Sequence, residues 1–156
     1  MPNDTTDAAR LDLERFIPYR LSVLTNRMSS AIARHYSQRF SLSIPEWRVM
    51  AVLGGMSGLS AQDVAQRTAM DKVQVSRTVE SLVVAGRVTR SADAKDGRVT
   101  RLSLSKNGRA IYEEVVPLAL DLEEQFLCAL SDSERHTFQA LLTKLSGEGR
   151  LLDALK

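Results

Sequence analysis

The chain is short of several residue types, and each shortage removes a class of protein. Its one cysteine, Cys128, has no partner for an internal disulfide, so a reducing, cytoplasmic compartment is expected. The two histidines, His35 and His136, are far apart and have no nucleophile or metal-ligand spacing around them. There is no glycine-rich phosphate loop either. No catalytic residues, no metal and no cofactor are therefore expected, and an enzyme is the weaker alternative. Aromatic residues make up only 5% of the chain, too few for a carbohydrate or stacked-base platform. No apolar run approaches the roughly 18 residues that span a membrane. The opening MPNDTTDAAR is polar and unlike a secretory signal, so no membrane partner is expected. What remains is 156 residues, 44% hydrophobic and 26% charged, enough for one ordinary globular domain.

The net charge of +2 conceals an uneven distribution. Residues 67–109 hold ten Lys or Arg against four acids, a local charge of +6, while residues 110–156 carry nine acids against four bases. A basic middle between less basic flanks is the footprint of a protein that meets a polyanion. Taken alone, the same run also suits a solvated charged face.

Residues 1–10 are expected to be disordered, and residues 11–40 to form one long helix with a possible interruption at Pro18. Ile17, Leu21, Leu24, Met28, Ile32 and Tyr36 recur at the helical period. Ser43-Ile-Pro-Glu46 is a helix start, with a cap, a proline in the first turn and an acid at the positive end. Ser60-Ala-Gln-Asp63 resembles a capping box and opens a short helix to about Thr68. Asp71 begins a further helix, which Gly86 closes in a left-handed conformation. Two β-branched, alternating stretches, 88–91 and 99–105, flank Asp93-Ala-Lys-Asp-Gly and read as a hairpin. Ser105 caps a helix from Lys106 to about Leu130, with a bend at Pro117, and Ser131-Asp-Ser-Glu134 opens the last helix.

The fold class expected is all-α with a small β-hairpin wing: a winged helix-turn-helix over 43–105, flanked by dimerisation helices over 11–42 and 106–156, in a single compact domain. The outer helices carry apolar stripes broader than the small central unit can cover, which makes a second copy of the chain the simplest partner.

On a helical wheel, Val75, Val79, Leu82 and Val83 face the core, while Gln74, Arg77 and Ser81 face out with Val73 beside them. That outward group suits a major groove. Arg77 can donate to guanine O6 and N7, Gln74 can pair with adenine, and Val73 can touch a thymine methyl. Lys72 and Ser76 suit phosphates. In the hairpin, Arg98 can enter a minor groove, with Lys95 at the tip and Arg90 on a strand. Asp96 is expected to orient the Arg98 guanidinium. An amphipathic helix and a charged turn with no DNA role are the plain alternatives.

Leu59-Ser60-x-x-Asp63-Val64-Ala65, Asp71-Lys-Val-Gln-Val-Ser-Arg77, Leu82 to Gly86, and Asp93-Ala-Lys-Asp-Gly-Arg98 followed by Leu-Ser-Leu-Ser and Gly108 together resemble the MarR family of winged-helix regulators. The resemblance runs from about Phe16 to Leu145. It implies a homodimer on double-stranded DNA at a pseudo-palindromic operator, usually a repressor released by a small ligand. Phe16-Ile-Pro-Tyr-Arg-Leu21 and Ser43-Ile-Pro-Glu-Trp-Arg-Val49 are similar to regulators of aromatic-acid catabolism that answer to hydroxycinnamoyl-CoA and related thioesters. Arg20, Arg27 and Arg34 form a cationic stripe that can meet coenzyme A phosphates, and Tyr36, Trp47 and Met50 supply an apolar slot for an aromatic group. The effector is then an aromatic acid or its CoA thioester. Equally, these arginines can pair with acids such as Glu113 or Glu123 across a dimer, or face water. A thiol redox sensor acting through Cys128 is a further alternative, although Phe126-Leu-Cys-Ala-Leu130 reads as a buried, inert setting. A winged helix used only for protein contacts is the third.

Overall fold

The computed structural model describes residues 11–148 of the chain. The disorder expected for 1–10 lies outside the described residues, as does the end of the 106–156 segment. The elements run α1 (Ile17–Phe40), α2 (Ile44–Gly55), α3 (Ala61–Thr68), α4 (Lys72–Val84), β1 (Val88–Ala92), β2 (Thr100–Leu104), α5 (Lys106–Leu127) and α6 (Asp132–Glu148). This is the mostly helical, winged helix-turn-helix architecture expected. The chain divides into two compact units, with the boundary inside α5 between Val116 and Pro117.

The first helix starts six residues later than expected. Proline suits only the first turn of a helix, because it has no N–H to donate. Pro18 accordingly sits in the first turn of α1, behind Phe16 in an extended conformation, and residues 11–16 are not helical. The other starts follow the cap signals. Ser43 with Glu46 and Ser60 with Asp63 form reciprocal capping boxes, and Asp71 accepts from the Gln74 N–H at 2.7 Å. Gly86 closes the turn after α4 at φ +66, where a side chain is strained.

The core of the first unit joins α1, α2, α3, α4, the hairpin and the start of α5 through Tyr36, Val49, Met50, Leu53, Val64, Val75, Val79, Leu82, Val88, Leu102, Ile111 and Val115. β1 and β2 pair antiparallel, Val88 opposite Leu104 through Ala92 opposite Thr100. Leu59 adds a bridge to Leu102, tying the segment before α3 to the wing. Gly108 lies against the Arg87 carbonyl so closely that a Cβ would overlap it. That contact fixes where α5 leaves the hairpin.

In the second unit, Ser131 and Glu134 cap α6 reciprocally, and Arg135 pairs with Glu124 at 2.6 Å. Its apolar residues are open to solvent in the single chain, among them Leu118, Leu120, Phe126, Leu141, Leu142 and Leu145. Cys128 is exposed too, contrary to the buried setting expected, since no described residue covers it. Among the described residues no helix is long and apolar enough to cross a membrane.

Candidate nucleic-acid interface

Helix α4 is amphipathic. Val75, Thr78, Val79 and Leu82 are buried, whereas Lys72, Val73, Gln74, Ser76 and Arg77 are exposed. Val73 is 60% exposed, an unfavourable place for an apolar side chain with nothing to touch. The bend that presents this helix is Ala69 in a left-handed conformation at φ 53, followed by buried Met70. Among the described residues, Lys72 and Arg77 have no carboxylate partner.

The wing is organised by Asp93. Its Oδ1 accepts from the backbone N–H groups of Lys95 at 2.8 Å and Asp96 at 3.0 Å, and its Oδ2 takes Arg101 Nε at 2.5 Å. The Asp96 N–H, then the Arg101 side chain, then the Lys95 N–H hold the Asp93 carboxyl down at about 2. Arg101 also reaches Asp63 at 3.8 Å, joining the wing to α3. Lys95 and Arg98 are left exposed at the tip, with no carboxylate partner among the described residues.

Three expectations are corrected here. Asp96 does not orient the Arg98 guanidinium; it accepts from the Arg98 backbone N–H at 3.0 Å, and the Asp–Arg pair of the wing is Asp93–Arg101. The tight turn brings the Arg98 amide to Asp96, whereas strand register places Arg101 beside the loop's first acid. Arg90 is not a free cation: it meets Glu80 at 2.8 Å. Ser81 does not simply face out, since its hydroxyl donates to Glu46 Oε1 at 2.7 Å.

Of the residues proposed to hold a ligand, Tyr36, Trp47 and Met50 meet in one cluster, while Arg20, Arg27 and Arg34 line other grooves. Tyr36 and Met50 are buried core residues, 1% and 0% exposed. Trp47 lies between two other rings, 5.6 Å from Tyr36 and 6.0 Å from Tyr112 between centroids. The slot expected from these side chains is filled by their own packing. Burial pushes the Tyr36 phenol up to about 12, against an opposing pull from Arg48. Arg20, Arg27 and Arg34 are all exposed on α1. Arg20 lines an open groove with Ile17, Leu21 and Leu24, and Arg27 and Arg34 line another with Asn26 and Ser30. Trp47 lines a third, with Arg48, Ala51, Val52, Arg67 and Thr68. Arg48 and Arg67 were missed in the sequence, although Arg48 directly follows the only tryptophan and Arg67 belongs to the basic run.

The MarR family model matches residues 40–99, which span α2 to the end of the wing loop. A solved structure of a probable transcriptional regulator from Pseudomonas aeruginosa is 31% identical, with 85% of this chain and 98% of that chain covered and a TM-score of 0.72. A MarR/EmrR family transcriptional regulator from Acinetobacter sp. ADP1 is 26% identical, with 90% and 99% covered and a TM-score of 0.82. BpsR of Bordetella bronchiseptica, whose DNA binding is regulated by 6-hydroxynicotinic acid, is 25% identical, with 88% and 98% covered and a TM-score of 0.77. No curated protein matches the chain. With the fold, the family match and these relatives in agreement, the chain belongs to the MarR family of transcriptional regulators.

Proposed function

We propose that this DNA-binding regulator acts as a homodimeric repressor on a pseudo-palindromic operator and is released by a small aromatic ligand. The observation that carries the DNA reading is the exposed face of α4, where Val73, Gln74 and Arg77 stand together, with Arg77, Lys95 and Arg98 having no carboxylate partner among the described residues. Arg77 and Gln74 read base edges, Val73 meets a methyl group, and Lys72, Ser76 and the wing cations hold phosphates and the minor groove. In each unit, exposed apolar helix residues support pairing through a second copy: Ile17, Tyr19 and Leu21 in the first, Leu141, Leu142 and Leu145 in the second. Two copies place two α4 helices on successive turns of one DNA face, about 34–36 Å apart.

The test is a selection from random duplexes followed by a salt titration. A selected inverted repeat, bound by a dimer with affinity falling steeply in log-log salt, is expected. A monomer, or a flat salt response, would remove the reading.

An effector releases DNA only by binding the non-reading conformation better. The aromatic acid that regulates BpsR supports an aromatic acid here. Arg27 and Arg34, lining one groove with Asn26 and Ser30, support the CoA thioester as the second reading, with Arg20 on the same helix. On that reading the aromatic acyl group needs Tyr36, Trp47 and Met50 to part. Thermal-shift measurements with paired free acids and CoA thioesters separate the two. The exposure of Cys128 keeps a redox input in view. Peroxide that releases DNA from the wild type but not from Cys128→Ser would establish it.

A further inference from the structure

We infer that Glu46, Ser81 and Arg87 form a latch between the α1–α2 corner and the far end of α4, and that Ser81 is a positioning residue for the reading helix. The inference rests on the DNA-reading role proposed for α4.

Both carboxylate oxygens of Glu46 are committed. Oε2 accepts from the Ser43 N–H and hydroxyl, each at 2.8 Å, which closes the capping box at the start of α2. Oε1 accepts from the Ser81 hydroxyl, two turns beyond the base-reading end of α4, at 2.7 Å. One residue therefore caps one helix and holds another. Six positions after Ser81, the Arg87 guanidinium donates to the carbonyl of Phe40, the last residue of α1. The short connection 41–43, with Ser41 left-handed, is thus bracketed by ties from α4 and from the turn that follows it. That turn is anchored in its own right: the Ser105 N–H donates to the Arg87 carbonyl at 2.9 Å and the Ser105 hydroxyl to the Gly86 carbonyl at 2.7 Å.

Apolar packing of Val75, Val79 and Leu82 holds α4 to the core, but such packing is not directional. Hydrogen bonds are directional, and these two tie α4 and the turn that follows it to the α1–α2 corner. Partial burial pushes the Glu46 carboxyl up, yet the Ser43 N–H, the Ser81 and Ser43 hydroxyls and the Arg87 charge outweigh this and hold it below the usual carboxylate range. The acceptor therefore stays ionised around neutral pH. The latch gives any displacement of α1 a direct mechanical route to the reading helix.

The alternative is that Ser81, being exposed, simply contacts a phosphate. A double-mutant cycle in the full-length chain separates the two, with a duplex selected by the wild type and an unrelated duplex of equal length as probes. Glu46→Asp keeps a capping box, as Asp63 does for Ser60, but is one methylene too short for Ser81. Ser81→Ala and Glu46→Asp are each expected to lose about threefold to tenfold in affinity for the selected duplex. The double variant should lose no more than either single, the salt slope should stay at its wild-type value, and Ser81→Thr should bind as the wild type does. Losses that multiply, or a loss confined to Ser81→Ala with a shallower slope, would overturn the latch.

Hydrogen exchange without DNA supplies an independent readout. Faster exchange at the C-terminal amides of α4, equal in both single variants, is expected; wild-type protection in both would overturn the latch. A wild type that selects no duplex would instead remove the DNA reading, and exchange alone would then decide the latch.

Discussion

Glu80 Oε2 lies 2.8 Å from Arg90 Nη2, so an acid of α4 neutralises a cation of β1. Both side chains are largely exposed, and an exposed pair of this kind adds little stability. Its effect is on charge. Glu80→Gln is expected to free Arg90, raise affinity for any duplex, and steepen the log-log salt slope by about 0.9, the value of one added phosphate contact. Fluorescence anisotropy across a salt series checks this. An unchanged slope would mean that Arg90 lies out of reach of DNA.

Arg77 and Lys72 should fail differently. Arg77→Ala is expected to cost about 1–3 kcal/mol on a selected duplex and to relax preference at one base pair, with little change on random DNA. Lys72→Ala should weaken both probes alike. Competition between the two duplexes measures the ratio directly, and equal losses for Arg77→Ala would count against base reading.

The wing should have its own acid limit. Asp93 is held at about 2 against an ordinary 3.8, so its folded state prefers the carboxylate. A depressed carboxyl contributes order that is fully present above its unfolded value and lost as pH falls through the folded one. Protection of the Lys95 and Asp96 amides from hydrogen exchange, taken relative to the intrinsic exchange rate at each pH, should therefore begin to fall below about pH 4 and be lowest near pH 2. In Asp93→Asn the same amides should show no such step.

Gly108→Ala should destabilise the first unit, because the new methyl overlaps the Arg87 backbone carbonyl and not a side chain that could swing away. Overpacking of this kind costs about 1–3 kcal/mol. The expected fall in Tm is about 3–10 °C by calorimetry. Gly55→Ala, where a Cβ meets nothing within 4 Å, is the matched control and should leave Tm close to that of the wild type.

The sequence made legible those features that are encoded locally. Ser43, Ser60, Asp71 and Ser131 each mark a helix start because a capping side chain satisfies an N–H two or three residues away. The division of α4 into buried and open faces follows from its period. Pro18 carried the true start of α1 in plain view, since proline belongs to a first turn.

What could not be read was which side chain meets which across the fold. Periodicity places Tyr36, Trp47 and Met50 toward the interior, but it does not say that Tyr112, 65 residues beyond Trp47, stacks on the indole instead of a ligand. Several carboxylates lie near each wing arginine in sequence; the fold of the hairpin loop selects Asp93 for Arg101, and the packing of α4 on β1 selects Glu80 for Arg90. Ser81 satisfied the wheel's outward rule and is nonetheless held by an acid 35 residues earlier.

Trp47 is the chain's only tryptophan, and it sits between a ring from α1 and a ring from α5. All intrinsic indole emission therefore originates at the joint where α1, α2 and α5 meet. Sliding of α1 or α5 over α2 would alter quenching and energy transfer from Tyr36 and Tyr112 together. The protein carries its own optical gauge for that joint, readable without a label.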